Sequence, residues 1–185
     1  MAVAPIPPLV AVDEYLNSSY RPDVEYVEGF LVERGMPTVA HSLLQVLLVE
    51  YFGQHRRAFE FMTLADVRTQ IVERARYRIP DVMLCPLPLP TGKVVTSVPW
   101  AVIEILSPDD RLPDQLKRFR DYKQISVHHV VLLDPEQLVA FRFEEGSLLQ
   151  TRFTSLELPS GSVPFDSDSL FQQLAEERNA AGARS

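Results

Sequence analysis

The chain has 185 residues, 46% of them apolar and 23% charged, with a formal net charge of −7. That is the size of one domain with a substantial core and the composition of an ordinary globular protein. The acidic balance argues against a protein that coats nucleic acid indiscriminately, though not against a local basic groove on an acidic body. A single cysteine, Cys85, excludes an internal disulfide framework and points to a reducing cytosol. No apolar run reaches the roughly 18 residues that cross a membrane.

Residues 1–8 read as a Pro-rich tail, and with no basic n-region no signal peptide is expected. Residues 12–16 read as a short helix with Asp13 and Glu14 in its favourable first turn. Residues 24–33 read as a hairpin turning at Glu28-Gly29, with Tyr26 on one face and Glu25 and Val27 on the other. Thr38 can cap a helix, and Leu43, Leu44, Leu47, Leu48, Tyr51 and Phe52 carry helical spacing to about Arg57. His41, at the start of that helix, reads as a surface residue.

Residues 59–71 hold one or two strands, and residues 73–78 read as a basic connection into the apolar stretch Ile79-Pro80-Asp81-Val82-Met83-Leu84-Cys85. The prolines at 86, 88 and 90 then exclude a sheet interior. Residues 112–125 fit an amphipathic helix with Pro113 in its first turn and Leu116, Phe119, Tyr122 and Ile125 as its inner stripe. Residues 128–133 read as a buried strand, and residues 138–143 and 148–153 as a hairpin around Glu144-Glu145-Gly146. Residues 166–177 read as a last helix and 179–185 as a frayed tail. There is no internal repeat and no domain boundary, so residues 1–185 are expected to form one domain.

The run Val98 to Pro108 holds the chemical anomaly. It is apolar and β-branched, as a central strand covered on both faces is, yet Glu104 sits near its middle. A carboxylate buried without a partner costs several kcal/mol or neutralises itself. Asp81 stands at the mouth of the preceding apolar strand. Two carboxylates on neighbouring core strands can converge on one hard cation, or each can pair with a basic side chain such as Arg78, Arg111 or Lys117.

In chain order stand Glu25-Tyr26-Val27-Glu28-Gly29, Met36-Pro37-Thr38 before a helix, Tyr77-Arg78-Ile79-Pro80-Asp81-Val82, Val102-Ile103-Glu104-Ile105-Leu106-Ser107-Pro108, Asp121-Tyr122, and Leu133-Asp134-Pro135. This series, over residues 12–171, resembles the Uma-two family of restriction-endonuclease-like proteins within the PD-(D/E)XK nuclease superfamily. The resemblance implies an α/β core, a mixed sheet flanked by helices with the acids at one edge. It also implies a divalent ion, Mg2+ or Mn2+, and hydrolysis of DNA phosphodiester bonds. Carried over, Asp81 and Glu104 are metal ligands, the backbone carbonyl of Ile105 is a third, and Glu25 is an accessory acid, with Glu28 or Glu33 as its alternative.

The superfamily's lysine, two residues beyond the acid, is here Leu106, which cannot polarise water. The family often places a lysine in the next helix instead. Counted back from Tyr122, that place is Arg118, with Lys117 beside it. Side chains one residue apart diverge by about 100°, so only one of them can face the site. Arginine stabilises phosphate but is a poor base. Residues 111–123 carry five basic residues against two acids, and residues 68–78 carry four against one. A basic groove beside the site is therefore expected, with Arg78, Arg111 and Lys123 as DNA contacts. The bland reading of the helical run is a solvated basic face. Metal binding at His128-His129 lacks acids or cysteines at zinc spacing, Cys85 reads as a packed thiol, and Trp100 as a core anchor.

The expectation is thus a cytoplasmic Mg-dependent endonuclease acting on DNA. A homodimer is expected because cutting both strands calls for two sites. The rivals are a nuclease-fold protein that lost catalysis and binds nucleic acid or a partner, and a structural protein in which Glu104 is a buried salt bridge.

Overall fold

A computed structural model describes residues 8–182. The expected tails therefore lie mostly outside the described residues. Where residues 179–182 are described they continue the last helix rather than fray.

The centre is a six-stranded mixed sheet in the order β10-β9-β8-β7-β6-β3. Its strands are β3 (Phe61–Leu64), β6 (Val82–Pro86), β7 (Ala101–Ile105), β8 (His129–Asp134), β9 (Val139–Glu144) and β10 (Ser147–Gln150). Only β7 and β8 run parallel, because helix α3 (Leu112–Gln124) makes the crossover between them; the other neighbours are antiparallel. Helices α2 (Val39–His55) and α4 (Ser167–Gly182) and the hairpin β11 (Ser155–Leu158) with β12 (Gly161–Pro164) bury one face. Leu44, Leu48 and Phe52 of α2 and Leu170 and Leu174 of α4 lie there against Val82, Ile103 and Val131. Helix α3 covers the other face, where Phe119 and Tyr122 meet Met83, Val102 and Val130.

A second, antiparallel sheet stands beside the first in the order β2-β1-β5-β4, from β1 (Glu25–Val27), β2 (Phe30–Val32), β4 (Thr69–Val72) and β5 (Arg76–Arg78). The short helix α1 (Val12–Asn17) packs Tyr15 against Tyr26 and Tyr77 of this sheet. Glu28 and Gly29 both take positive φ in the β1–β2 turn, where glycine has no steric penalty. Thr38 accepts a hydrogen bond from the His41 amide as the α2 cap (3.1 Å).

Two regions depart from the expectation. Residues 76–78 are not a connection but an inner strand, held between β1 and β4. Residues 155–164 form a further hairpin, in which the alternation Ser155-Leu156-Glu157-Leu158 buries Leu156 and Leu158. No helix among the described residues is long and apolar enough to cross a membrane.

Candidate active site

Strand alternation sends Ala101, Ile103 and Ile105 of β7 into the α2–α4 core, and Val102 toward α3. Glu104 therefore faces α3. It is 1% exposed, and Tyr122 Oη donates to its Oε1 at 2.5 Å. Val82 of β6 pairs with Ile103, so one step further the register sets Asp81 opposite Glu104. Asp81 is also buried. Its Oδ2 accepts from the Ile105 amide (2.7 Å) and lies 3.3 Å from His41 Nε2, while Oδ1 accepts from Arg34 Nη2.

The two acids titrate in opposite directions. Burial alone would raise the Asp81 carboxyl, but the His41 hydrogen bond, the Arg34 charge and the Ile105 amide hold it below the usual range. Burial first, and then the neighbouring Asp81 charge, push the Glu104 carboxyl well above its usual value, against the pull of Arg118, Arg34 and Tyr122. Buried acids driven apart in this way are a mark of functional sites.

A second layer holds the arginines. Tyr26 pairs with Tyr77, which sets Glu25 of β1 beside Arg78 of β5 on the face turned away from the tyrosine cluster. Arg78 Nη1 donates to Glu25 Oε2 (2.6 Å), and its Nε and Nη2 donate to Asp121 Oδ2 of α3 (2.8 and 2.6 Å). Arg118 Nε donates to the same Glu25 oxygen (3.3 Å), and the Ile79 amide to Oε1 (3.3 Å). Both Glu25 oxygens are thus committed. Glu25 thereby anchors two arginines, and Glu28 pairs with Arg76 at the exposed hairpin turn.

The structure separates Lys117 from Arg118. Lys117 points outward, 65% exposed, and pairs with Asp114 (2.8 Å). Arg118 is buried and its charge reaches Glu104. The inner face of α3 therefore also carries Gln115, Arg118 and Asp121, not only the expected apolar stripe. Leu106 packs into the α3-side core, so no lysine stands on the strand.

The expected basic groove is largely spent on internal pairs. Arg68 binds Asp23, Arg74 binds Asp13, Arg76 binds Glu28 and Asp121, and Arg78 is buried between two acids. Lys123 donates to the carbonyls of Val127 and His128 at the far end of α3. What opens beside Arg118 is a cleft of about 340 Å³ between the β1–β2 hairpin and the start of α3. There Arg111 and Lys117 stand among Glu33, Asp109, Asp110 and Asp114.

His41 is buried against Asp81, not on the surface. Its position was readable, since 41, 44, 48 and 52 form one stripe whose other members are apolar. Gln45 donates to the Asp81 carbonyl (2.9 Å) and to Asp66 (2.7 Å). Nothing local in the sequence signals Arg34. Cys85 is buried and its thiol is pushed up to about 12 by burial, so it is inert. Trp100 packs on the α2–α4 core, and His129 Nε2 lies 2.8 Å from the Glu157 carbonyl.

The Uma2 family, described as "Putative restriction endonuclease", matches residues 12–170. The chain belongs to this family. This Uma2 chain is similar in fold to a solved structure, the crystal structure of a "putative nuclease belonging to DUF820" from Anabaena variabilis. It matches with a TM-score of 0.74 at 21% identity, over 89% of this chain and 99% of that one. The fold is thus restriction-endonuclease-like. A DrdV–DNA complex is similar over 73% of this chain and 11% of its own, at 15% identity and a TM-score of 0.37, too low to carry weight. None of the curated proteins matches.

For a Uma2 protein the implied ion is a divalent cation, and the donor set suits it. Asp81 and Glu104 bring hard carboxylate oxygens to adjacent strand ends, and magnesium characteristically takes one or two carboxylates while keeping several waters. No group of three or more His, Cys, Asp or Glu arranged for a metal occurs among the described residues.

Proposed function

We propose that the chain is a magnesium- or manganese-dependent endonuclease that hydrolyses DNA phosphodiester bonds, with Asp81, Glu104 and the Ile105 carbonyl holding the ion. The observation that carries this reading is the meeting of two buried carboxylates on antiparallel neighbours in a chain of a nuclease family. When bound, the cation polarises the phosphoryl oxygen and acidifies a bound water.

The chain's own residues do the rest. Tyr122 and the Ile105 amide fix the two carboxylates. Arg118, held by Glu25, supplies positive charge for the pentacovalent phosphorus, but being permanently protonated it accepts no proton from water. Arg111 and Lys117 flank the cleft by which a phosphate chain would approach. Two strands need two sites, so the reading extends to a cytoplasmic homodimer, which light scattering would detect.

The deciding experiment is cleavage of supercoiled plasmid and single-stranded DNA with Mg2+ or Mn2+. Wild type should cut, and Glu104→Gln, folded by circular dichroism, should not. If wild type cuts with neither ion, the second reading takes over: a nuclease-fold module that binds nucleic acid or a partner. Leu106 in the lysine place favours that reading.

The helix variants sharpen the assignment. Lys117→Ala should leave the cutting rate within about twofold, whereas Arg118→Ala should lower it roughly 10²–10³-fold, the usual effect of losing one transition-state donor. Equal losses in single-turnover assays would refute the division of labour between them.

A further inference from the structure

The acid pair already has a cation. The guanidinium of Arg34 binds Asp81 Oδ1 through Nη2 and Asp66 Oδ1 through Nη1 (2.7 Å), with only 19% of the side chain exposed. Arg34 belongs to the connection between β2 and α2, residues 33–38.

This connection is a strap. Gly35 lines both the cleft of about 340 Å³ beside α3 and a second cavity of about 240 Å³ beside α2, which Arg34, His41, Gln45 and Asp66 also line. A Cβ at Gly35 would stand 3.4 Å from Asp110 Oδ1 and 3.5 Å from Ser107 Cβ, so the strap lies close on the loop that follows β7. It runs between the two cavities and reaches Asp81 through Arg34.

Arg34 and a metal would contest the same oxygen. Asp81 Oδ2 is taken by the Ile105 amide and faces His41, while Oδ1 has Arg34 as its donor. A divalent ion on Oδ1 would be held against a guanidinium in a water-poor site, where like charges are weakly screened. Removing Arg34 would leave Asp81 and Glu104 with less positive charge nearby, which favours a metal.

We infer that Arg34 is a resident cation that closes the acid site, and that the strap 33–38 must carry it off Asp81 before a divalent ion binds. The inference rests on the metal-dependent reading above. Asp66, half exposed, offers the displaced guanidinium a partner outside the acid pair.

The test is Mn2+ binding to the full chain, read by loss of the free-ion electron paramagnetic resonance signal. Arg34→Met should bind Mn2+ at least tenfold more tightly than wild type, and Asp81→Asn added to Arg34→Met should abolish that site. If Arg34→Met binds no more tightly than wild type, while Asp81→Asn still removes the ion, the inference fails and the metal reading stands. If neither protein binds an ion that depends on Asp81, both fail.

A measurement on wild type covers the case of a misfolded variant. Saturating Mn2+ should speed trypsin cleavage after Arg34 several-fold relative to cleavage after the exposed Arg74, with the fragments identified by mass spectrometry. Unchanged or slower cleavage after Arg34 overturns the inference.

Discussion

Glu25→Ala should bring the chain close to unfolding, with a loss of about 3–5 kcal/mol, the usual penalty for breaking a buried ion pair from one side. Glu25 is fully buried and joins three donors from two elements and a loop: Arg78, Arg118 and the Ile79 amide. Alanine leaves Arg118 without its carboxylate and the amide without an acceptor, while Arg78 keeps only Asp121. Against the roughly 5–15 kcal/mol that holds a domain together, the loss is large. In a chain of this size it lowers the melting midpoint by roughly 6–20 °C. Glu25→Gln restores an acceptor for Ile79 but not the charge, and should fall between wild type and alanine. Asp13→Ala, which breaks the exposed pair with Arg74, should leave the midpoint where it was. Should Glu25→Ala melt with wild type, the cluster is not structural and Glu25 is free for another role.

That cluster also marks where sequence reading runs out. The hairpin turn at Glu28-Gly29, the Thr38 cap and the apolar β7 strand are written in neighbouring residues, and each appears where its local signal places it. Glu104 was legible for the same reason: one carboxylate in an apolar strand is an energetic contradiction. Strand β5 was not legible. Its arginines face inward, and the acids that make this tolerable lie 53 and 43 residues away, at Glu25 and Asp121. A basic tripeptide seen without those partners looks solvated. Arg34 is 47 residues from Asp81 and occupies an irregular connection, where no period predicts direction. The choice between Lys117 and Arg118 reduces to the phase of α3 against the sheet, which Phe119 and Tyr122 set by packing. Charge counts foresaw a basic groove because they register which residues are present and not which are paired.

Glu104→Gln should lose cleavage and gain stability, and the gain should depend on pH. In the folded protein the Glu104 carboxyl is raised well above the value of 4.5 it has when unperturbed, by burial and by Asp81. A group whose folded value is raised contributes stability that is present below the unfolded value and lost as pH rises through the folded one. Wild type therefore carries an increasing burden from about pH 4.5 upward, whereas the glutamine of the variant, which does not ionise, carries none. The variant keeps its bond to Tyr122, because an amide oxygen accepts a hydrogen bond without needing a charge. Asp81 works in the opposite sense: its lowered value gives stability above its unfolded range that is lost in acid. It is present in both proteins and cancels in the comparison. The difference in melting midpoint should be near zero around pH 4.5, the unperturbed value, and should grow toward neutral pH. A stabilisation of about 1 kcal/mol, typical of relieving an active-site conflict, corresponds to roughly 2–4 °C in a chain of this size. Saturating Mg2+ should close the gap, because ion binding to the folded wild type stabilises it by mass action and the variant lacks a ligand. Thermal melts across this pH range, with and without Mg2+, read all of this. A variant that melts below wild type at every pH would show that the Glu104 charge is compensated in the fold, and that Arg34 and Arg118 leave no deficit for a metal to fill.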